Sequence, residues 1–398
     1  MNQITQAKPK LRIESIDCFR GLTFFFMIIV NELHGVPGIS KWLKHMPAHA
    51  DAMSLPDVIF PAFLFIVGMS IPFGVQARKK AGDSNLKIVQ HIFLRALGLI
   101  TMGFFMVNAE AGYDEARMPI SIGAWALTSY LAFMLIWGVY QFKNQLVNIG
   151  GRLLGIFILA ALASIYHGDQ TQSWMSPQWW GILGLIGWAY LVSALVYLVT
   201  GPCLMKIGVA LLGMIAYYAA SHSAILFSPA LNIFLSQDAH AAHSSIVLCG
   251  LLTSTLFFYN GSSVSAIVRL SKAMQFSLVL LFFAFALHNA YPISKIYATP
   301  TWCMYSAALC VAIYCLLYFQ IDMRCQRKLA NLVYPVASNP LICYLMPFVV
   351  AGILQVFKVS NPIHGLSGFY GAIACVLYSC LIVFLVGRLN QINFKMRF

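Results

Sequence analysis

The chain has 398 residues, a mean hydropathy of +0.78, 60% hydrophobic residues and only 9% charged ones. A water-soluble fold of this length has too little core to hide so much apolar sequence, whereas a lipid bilayer hides it without cost. The net charge of +13 does not point to nucleic acid, because the basic residues lie scattered between apolar runs and form no single patch.

The pattern predicts an all-α fold: a polytopic transmembrane helix bundle of about 10–12 spans. It reads as one integral-membrane domain over 1–398 with both termini cytoplasmic. The polar, basic N-terminus runs into a long apolar segment with no small-residue cleavage site, so it reads as a retained helix and not a signal peptide. Spans are predicted at 18–36, 56–77, 88–108, 121–142, 151–167, 177–199, 204–222, 245–262, 273–291, 298–319, 333–357 and 366–388. Most are near the length that crosses roughly 30 Å of hydrocarbon at about 1.5 Å per residue; 151–167 is short. The stretch 223–244 is polar enough for a loop, but its apolar run AILFSPALNIFL is a candidate interfacial segment. With the N-terminus inside, nineteen basic residues fall in cytoplasmic positions and five outside: Lys41, Lys44, Arg117, Lys295 and Lys358. That bias supports an even number of spans. The ten cysteines are scattered, without C-x-x-C spacing, and read as small buried hydrophobes. No internal repeat is visible.

Ionisable groups within or beside spans are costly in lipid, and each is a functional candidate for that reason. They concentrate in the first seventy residues. Asp17 and Arg20 open the first span, and their spacing also fits a local ion pair. Asn31 and Glu32 close it. A loop follows with Lys44, His45, His49 and Asp51, and Asp57 opens the second span just before VIFPAFLFIVG. Asp57 follows Ser54, Leu55 and Pro56, a setting in which a carboxylate can simply favour a helix N-terminus. His45 and His49 are either solvated loop residues or chemistry. The other eight histidines have no identifiable partner. The pairs His45/His49 and His240/His243 lack a carboxylate–histidine motif, so no metal is expected.

The strings RIESIDCFRGLTFFFMIIVNELHG and KHMPAHADAMSLPDVIFPAFLFIVGMSIPF resemble the opening of the heparan-α-glucosaminide N-acetyltransferase family and its bacterial relatives. The family pattern runs R-x-x-S-[IV]-D-x-[FL]-R-G, an apolar helix ending in V-N, a loop with K-H, then G-[LM]-T-x-x-D-[LV]-[IV]-F-P-x-F-x-F-[IV]-x-G. ASNPLICYLMP (337–347) is similar to a later Asn-containing element, and NFKMRF resembles the usual basic terminus. The strong match covers roughly 11–75. There are departures: Ala52 stands for glycine, Ser54 for threonine, and Ala48-His49 for a tryptophan-containing stretch. Relative to the family pattern, two residues are inserted between His45 and Asp57, which makes His49 a rival to His45; the preserved Lys-His pair favours His45. Nothing corresponds to the large lumenal domain of the animal enzymes, which argues against a heparan-sized acceptor.

The resemblance implies transfer of acetyl from cytosolic acetyl-CoA, the acyl donor substrate, to the amine of a glucosamine-like acceptor across the membrane. It implies catalytic roles for His45, Asp57 and Asn31. Amide formation needs an amine freed of its proton, and histidine is suited to that; it can also carry the acetyl group itself. Asp57 would orient the imidazole, and Asn31 would donate to the developing oxyanion. Donor phosphates need cations: Arg20, Arg78, Lys79, Lys80 and Arg95 lie on the cytoplasmic side. Topology alone accounts for Arg78, Lys79 and Lys80, which leaves Arg20 and Arg95. Asn339 either lines the donor tunnel or satisfies backbone groups freed by Pro340. The alternative is a transporter of amino sugars or chitin fragments, which would place its polar site near the bilayer midplane. A structural membrane partner with no activity would make the polar cluster accidental. The expected partners are acetyl-CoA, a small-molecule or glycan acceptor, the bilayer and a second copy in a homodimer. The expected location is the bacterial inner membrane.

Overall fold

The protein is described by a computed structural model that covers residues 13–140, 144–170, 173–222, 236–259 and 264–397. Its described elements are helical, as the composition requires. They are α1 (Glu14–Leu33), α2 (Leu55–Lys80), α3 (Asn85–Glu110), α4 (Ile122–Trp137), α5 (Gln145–Ser164), α6 (Gly181–Thr200), α7 (Leu204–Ser221), α8 (Asp238–Phe258), α9 (Ala266–His288), α10 (Pro300–Tyr318), α11 (Lys328–Ser338), α12 (Pro340–Val356) and α13 (Gly368–Gln391). Side-chain caps fix several starts: Ser84, Ser121, Asn144 and Ser265 each accept a backbone N–H of the first turn.

Every predicted span falls on a described helix, and 333–357 falls on two. There α11 and α12 meet at Asn339–Pro340 with a bend of 73°, where the proline lacks the N–H that would continue the first helix. Among the described residues, α2, α3, α5 to α10 and α13 are long and apolar enough to cross a membrane, and α11 with α12 makes a tenth if the bent pair is one span. α4 is shorter, with 16 residues. α1 carries Glu14, Asp17, Arg20 and Glu32, too many charges for an unaided span. The apolar run 224–235 lies outside the described residues.

The helices divide by what their side chains meet. α8 is buried almost throughout, and α2 packs along it. α5, α7, α9 and α13 turn large apolar groups outward, among them Phe157, Met205, Phe282 and Phe384. In water such surfaces would aggregate; against lipid tails they are satisfied. The chain is a multi-pass membrane protein.

Small residues set the closest approaches. A Cβ added at Gly68 of α2 would overlap the carbonyl oxygen of Val247, and one at Gly250 of α8 would overlap that of Phe65. Each helix therefore lies against the backbone of the other. Gly103 meets Gly184 in the same way where α3 crosses α6. Gly208 on α7 faces open space. Gly68→Ala and Gly250→Ala are each expected to destabilise the folded chain by about 1–3 kcal/mol through overpacking. Gly208→Ala is expected to stabilise it by up to about 1 kcal/mol by removing backbone freedom. Thermal unfolding midpoints in detergent test the ranking; equal midpoints for all three would refute the α2–α8 packing.

Candidate active site

The ends of α1 and α2 are joined by residues 34–54, and this connection carries the candidate chemistry. Lys44 anchors it. Its ammonium donates to the carbonyl oxygens of Val36 at 2.9 Å and His34 at 3.3 Å, just past the end of α1. Carbonyls at a helix C-terminus lack intrahelical partners and attract a cation. Lys44 thus holds its neighbour His45 over the start of α2.

Asp57, 2% exposed, receives that histidine. His45 Nδ1 lies 2.8 Å from Asp57 Oδ1. Oδ2 accepts from the Ser54 hydroxyl at 2.8 Å, the Ser54 N–H at 3.1 Å and the Met46 N–H at 3.2 Å. The carboxylate therefore caps α2 with one oxygen and meets the imidazole with the other. A carboxylate only accepts, so the proton between them sits on Nδ1, and in the neutral ring the lone pair is on Nε2. Nε2 is the nitrogen left for chemistry.

A third segment, which sequence reasoning missed, closes over this pair. Residues 289–299 connect α9 to α10 and lie against 45–51. Lys295 Nζ is 3.1 Å from His45 Nδ1 and 3.5 Å from Nε2. The hydroxyl of Tyr297 meets His49 Nε2 at 3.0 Å. Asp51 Oδ1 accepts from the Ile293 N–H at 2.8 Å and lies 2.7 Å from His288 Nε2; the Ile293 bond first, then His288, holds the Asp51 carboxyl below its ordinary range. Burial lowers the Lys295 ammonium from its ordinary value, while the charge of Asp57 pulls the other way. Trp302 Nε1 donates to the Asp57 carbonyl at 3.0 Å. Pro61 explains that bond: four residues on, it has no N–H to give the carbonyl. In the sequence, Lys295 was only one of five outside basic residues, and nothing linked it to a residue 250 positions earlier.

The rival His49 is turned to Tyr297 and meets no carboxylate among the described residues. Asn31 is exposed on the last turn of α1 and makes no hydrogen bond to His45 or Asp57 among the described residues. The structure therefore joins two of the three expected catalytic residues and leaves Asn31 outside the hydrogen-bonded pair.

The expected donor-side cations come together elsewhere. A cavity of about 450 Å³ opens among α1, α2, α3, α6 and the α11–α12 break. Arg20, Arg95 and Arg397 line it, with Phe24, Phe63 and Tyr190 among its apolar and aromatic walls. Arg20 is bonded to Asp17 at 2.9 Å, the local pair its spacing implied, and to Ser70 at 3.1 Å. Arg95 lies 4.9 Å from the Tyr190 ring centroid, and its Nε has no hydrogen-bond partner among the described residues. Asn339 is buried beside the cavity, not in its wall. Its amide donates to Phe394 O at 2.8 Å and Asn390 Oδ1 at 3.2 Å and accepts from the Met396 N–H at 3.4 Å. Asn339 thus fastens the C-terminal segment, which brings Met396 and Arg397 to the cavity.

Residues 12–113 match the family described as heparan-alpha-glucosaminide N-acetyltransferase, catalytic. The mouse heparan-alpha-glucosaminide N-acetyltransferase is 26% identical over 186 residues, 46% of this chain and 26% of the relative. The human protein of that name is 27% identical over 138 residues, 33% of this chain and 20% of the relative. The matches thus span about a quarter or less of these relatives' length. The matched segment runs from α1 through α3 and includes His45, Asp57, Arg20 and Arg95, and over it the chain is similar to the heparan-α-glucosaminide N-acetyltransferase family.

Proposed function

We propose that the chain is an acyltransferase that moves acetyl from acetyl-CoA to the amine of a glucosamine or glucosamine-ended glycan. The observation that carries this reading is the Asp57–His45 pair, with its free Nε2, inside the matched segment. The donor binds in the basic cavity: guanidinium groups suit its phosphates, and the apolar walls suit its thin pantetheine arm. Of the cavity's cations, Arg95 and Arg397 form no ion pair among the described residues, so their charge remains for a ligand. The acceptor binds at the end of the bundle that carries His45. In a bacterial inner membrane with both termini cytoplasmic, that end is periplasmic. On this reading the full chain acts as one domain, and the homodimer is part of the proposal.

In the reaction, Asp57 holds the Nδ1 proton and directs Nε2 toward the acceptor. Nε2 removes the amine proton as the amide bond forms, or it carries the acetyl group between two steps. The helix break at Asn339 is the observation that favours a transporter, whose sites gather at broken helices. Here the Asn339 amide is already consumed by the C-terminal segment, so the break offers a substrate little to hold.

His45→Ala is expected to lower turnover by about 10²–10⁴-fold, with acetyl-CoA binding retained. Asp57→Asn is expected to reduce turnover more than donor affinity, and His49→Ala to keep most activity. Purified protein, acetyl-CoA and glucosamine, with product mass as the readout, provide the test; normal turnover in His45→Ala would refute the assignment. Arg95→Ala is expected to weaken acetyl-CoA binding by about tenfold or more, the worth of a charge-assisted contact. Unchanged affinity by calorimetry would remove Arg95 from the donor site.

A further inference from the structure

Lys295 stands outside the segment that matches the family, yet it is the cation nearest the candidate base. Its position relative to the imidazole matters. The two ring nitrogens point their in-plane axes away from each other, so an atom 3.1 Å from Nδ1 and 3.5 Å from Nε2 lies on neither axis. The ammonium therefore leaves the Nε2 lone pair open and stands beside the space in front of it.

Its charge is also unspent. Lys295 makes no ion pair within 4.0 Å among the described residues, although Asp57 is close. The donors around Asp57 explain this: His45 occupies Oδ1, and Ser54 and Met46 occupy Oδ2. A half-buried ammonium without a carboxylate costs free energy, and such groups mark places where negative charge arrives. Asn31, the donor implied for an oxyanion, is exposed and apart from the pair.

We infer that Lys295 is a catalytic residue of the transfer, the hydrogen-bond donor that holds the oxyanion developed on the acetyl carbonyl. This rests on the acetyltransferase reading given above. The acceptor nitrogen attacks the thioester carbon, the C–N bond forms, and the carbonyl π pair moves onto oxygen, where a Lys295 N–H donates to it. His45 Nε2 takes the proton from the nitrogen. The oxyanion collapses, the C–S bond breaks, and the thiolate leaves with the bonding pair and takes that proton from His45. Lys295 keeps its own proton throughout, and the products are one amide and one thiol. An oxygen that meets Nζ at hydrogen-bonding distance sits next to a carbon in reach of the Nε2-activated nitrogen, the geometry an oxyanion donor needs.

The test uses the full chain in detergent with acetyl-CoA and glucosamine, and with a glucosamine-ended oligosaccharide as a second acceptor. Thiol release and product mass are followed. Lys295→Met is expected to lower kcat by about 10²–10³-fold, the effect of removing one oxyanion donor, while the KM for acetyl-CoA changes less than about threefold. Lys295→Arg, which keeps charge and donors, is expected to regain about tenfold or more of that loss. Lys295→Gln, which keeps a neutral donor, is expected to fall between them and replaces Lys295→Met if the latter does not fold. A kcat for Lys295→Met within about threefold of the unaltered chain overturns the inference alone. So does an equal loss in all three variants with matching rises in KM, which marks a structural role. No product from the unaltered chain with either acceptor overturns the acetyltransferase reading, and this inference with it.

Discussion

The site depends on one buried carboxylate with four hydrogen-bonding contacts. Asp57 sits in the first turn of α2, where free N–H groups and the helix dipole favour negative charge. That setting lets a carboxylate remain almost fully buried at the edge of a membrane protein. Its charge is then used twice, by the helix start through Oδ2 and by His45 through Oδ1. The backbone of the same residue is used a third time. Pro61 frees the Asp57 carbonyl, and the Trp302 indole takes it, so α10 is tied to α2 at the point where the histidine is held.

The neighbouring contacts follow from this anchor. With Trp302 fixed, the preceding segment 289–299 lies over 45–51, and the chain meets it with complementary groups at three places: His45 with Lys295, His49 with Tyr297, and Asp51 with Ile293 and His288. Lys44 fixes the other end of the loop to α1. Asp51 has φ +45°, a left-handed turn that a short acidic side chain tolerates. The imidazole is held from two sides before any substrate arrives, which is the preorganisation that proton transfer between fixed groups requires. His243 belongs to the same neighbourhood. It is buried with its ring 5.2 Å from Phe60 and 6.1 Å from Trp302, centroid to centroid.

Much of this was legible in the sequence, for definite reasons. Apolar runs of spanning length leave the chain few alternatives to helices, and the predicted spans fall on described helices for that reason. The Asp17–Arg20 pair and the Ser54–Asp57 cap are local, and spacing alone reaches local contacts. Asp57 with His45 is only twelve residues apart and lay within the family resemblance. What spacing could not reach were contacts made by packing. Lys295, Tyr297, His288 and Trp302 come from the far half of the chain. Asp51 with His288 and Glu32 with Asn361 join loops that hydropathy treats as featureless to the ends of distant helices. Asn339 shows the limit from the other side. Its place at a helix break was readable, but its three bonds to the C-terminal segment were not, because a short polar tail carries no periodic signal.

The cavity and the histidine occupy different levels of the same two helices. Along α2, Phe63 is six residues beyond Asp57, about 9 Å at 1.5 Å per residue, and Ser70 is about 20 Å away. Arg20 and Ser70 bond to each other at the basic end of the cavity. At the other end the rings of Phe24 and Phe63 pack edge to face, with centroids 4.6 Å apart. On the proposed acetyltransferase reading, an acyl group moving from the cavity toward His45 would meet this aromatic pair between α1 and α2. Rings rotate more readily than helices separate, and charged phosphates cannot follow an acetyl group into so apolar a throat. On that reading, this arrangement would sort a long donor by its own chemistry: the anionic end would stay with the arginines and the thin neutral end would reach toward the histidine.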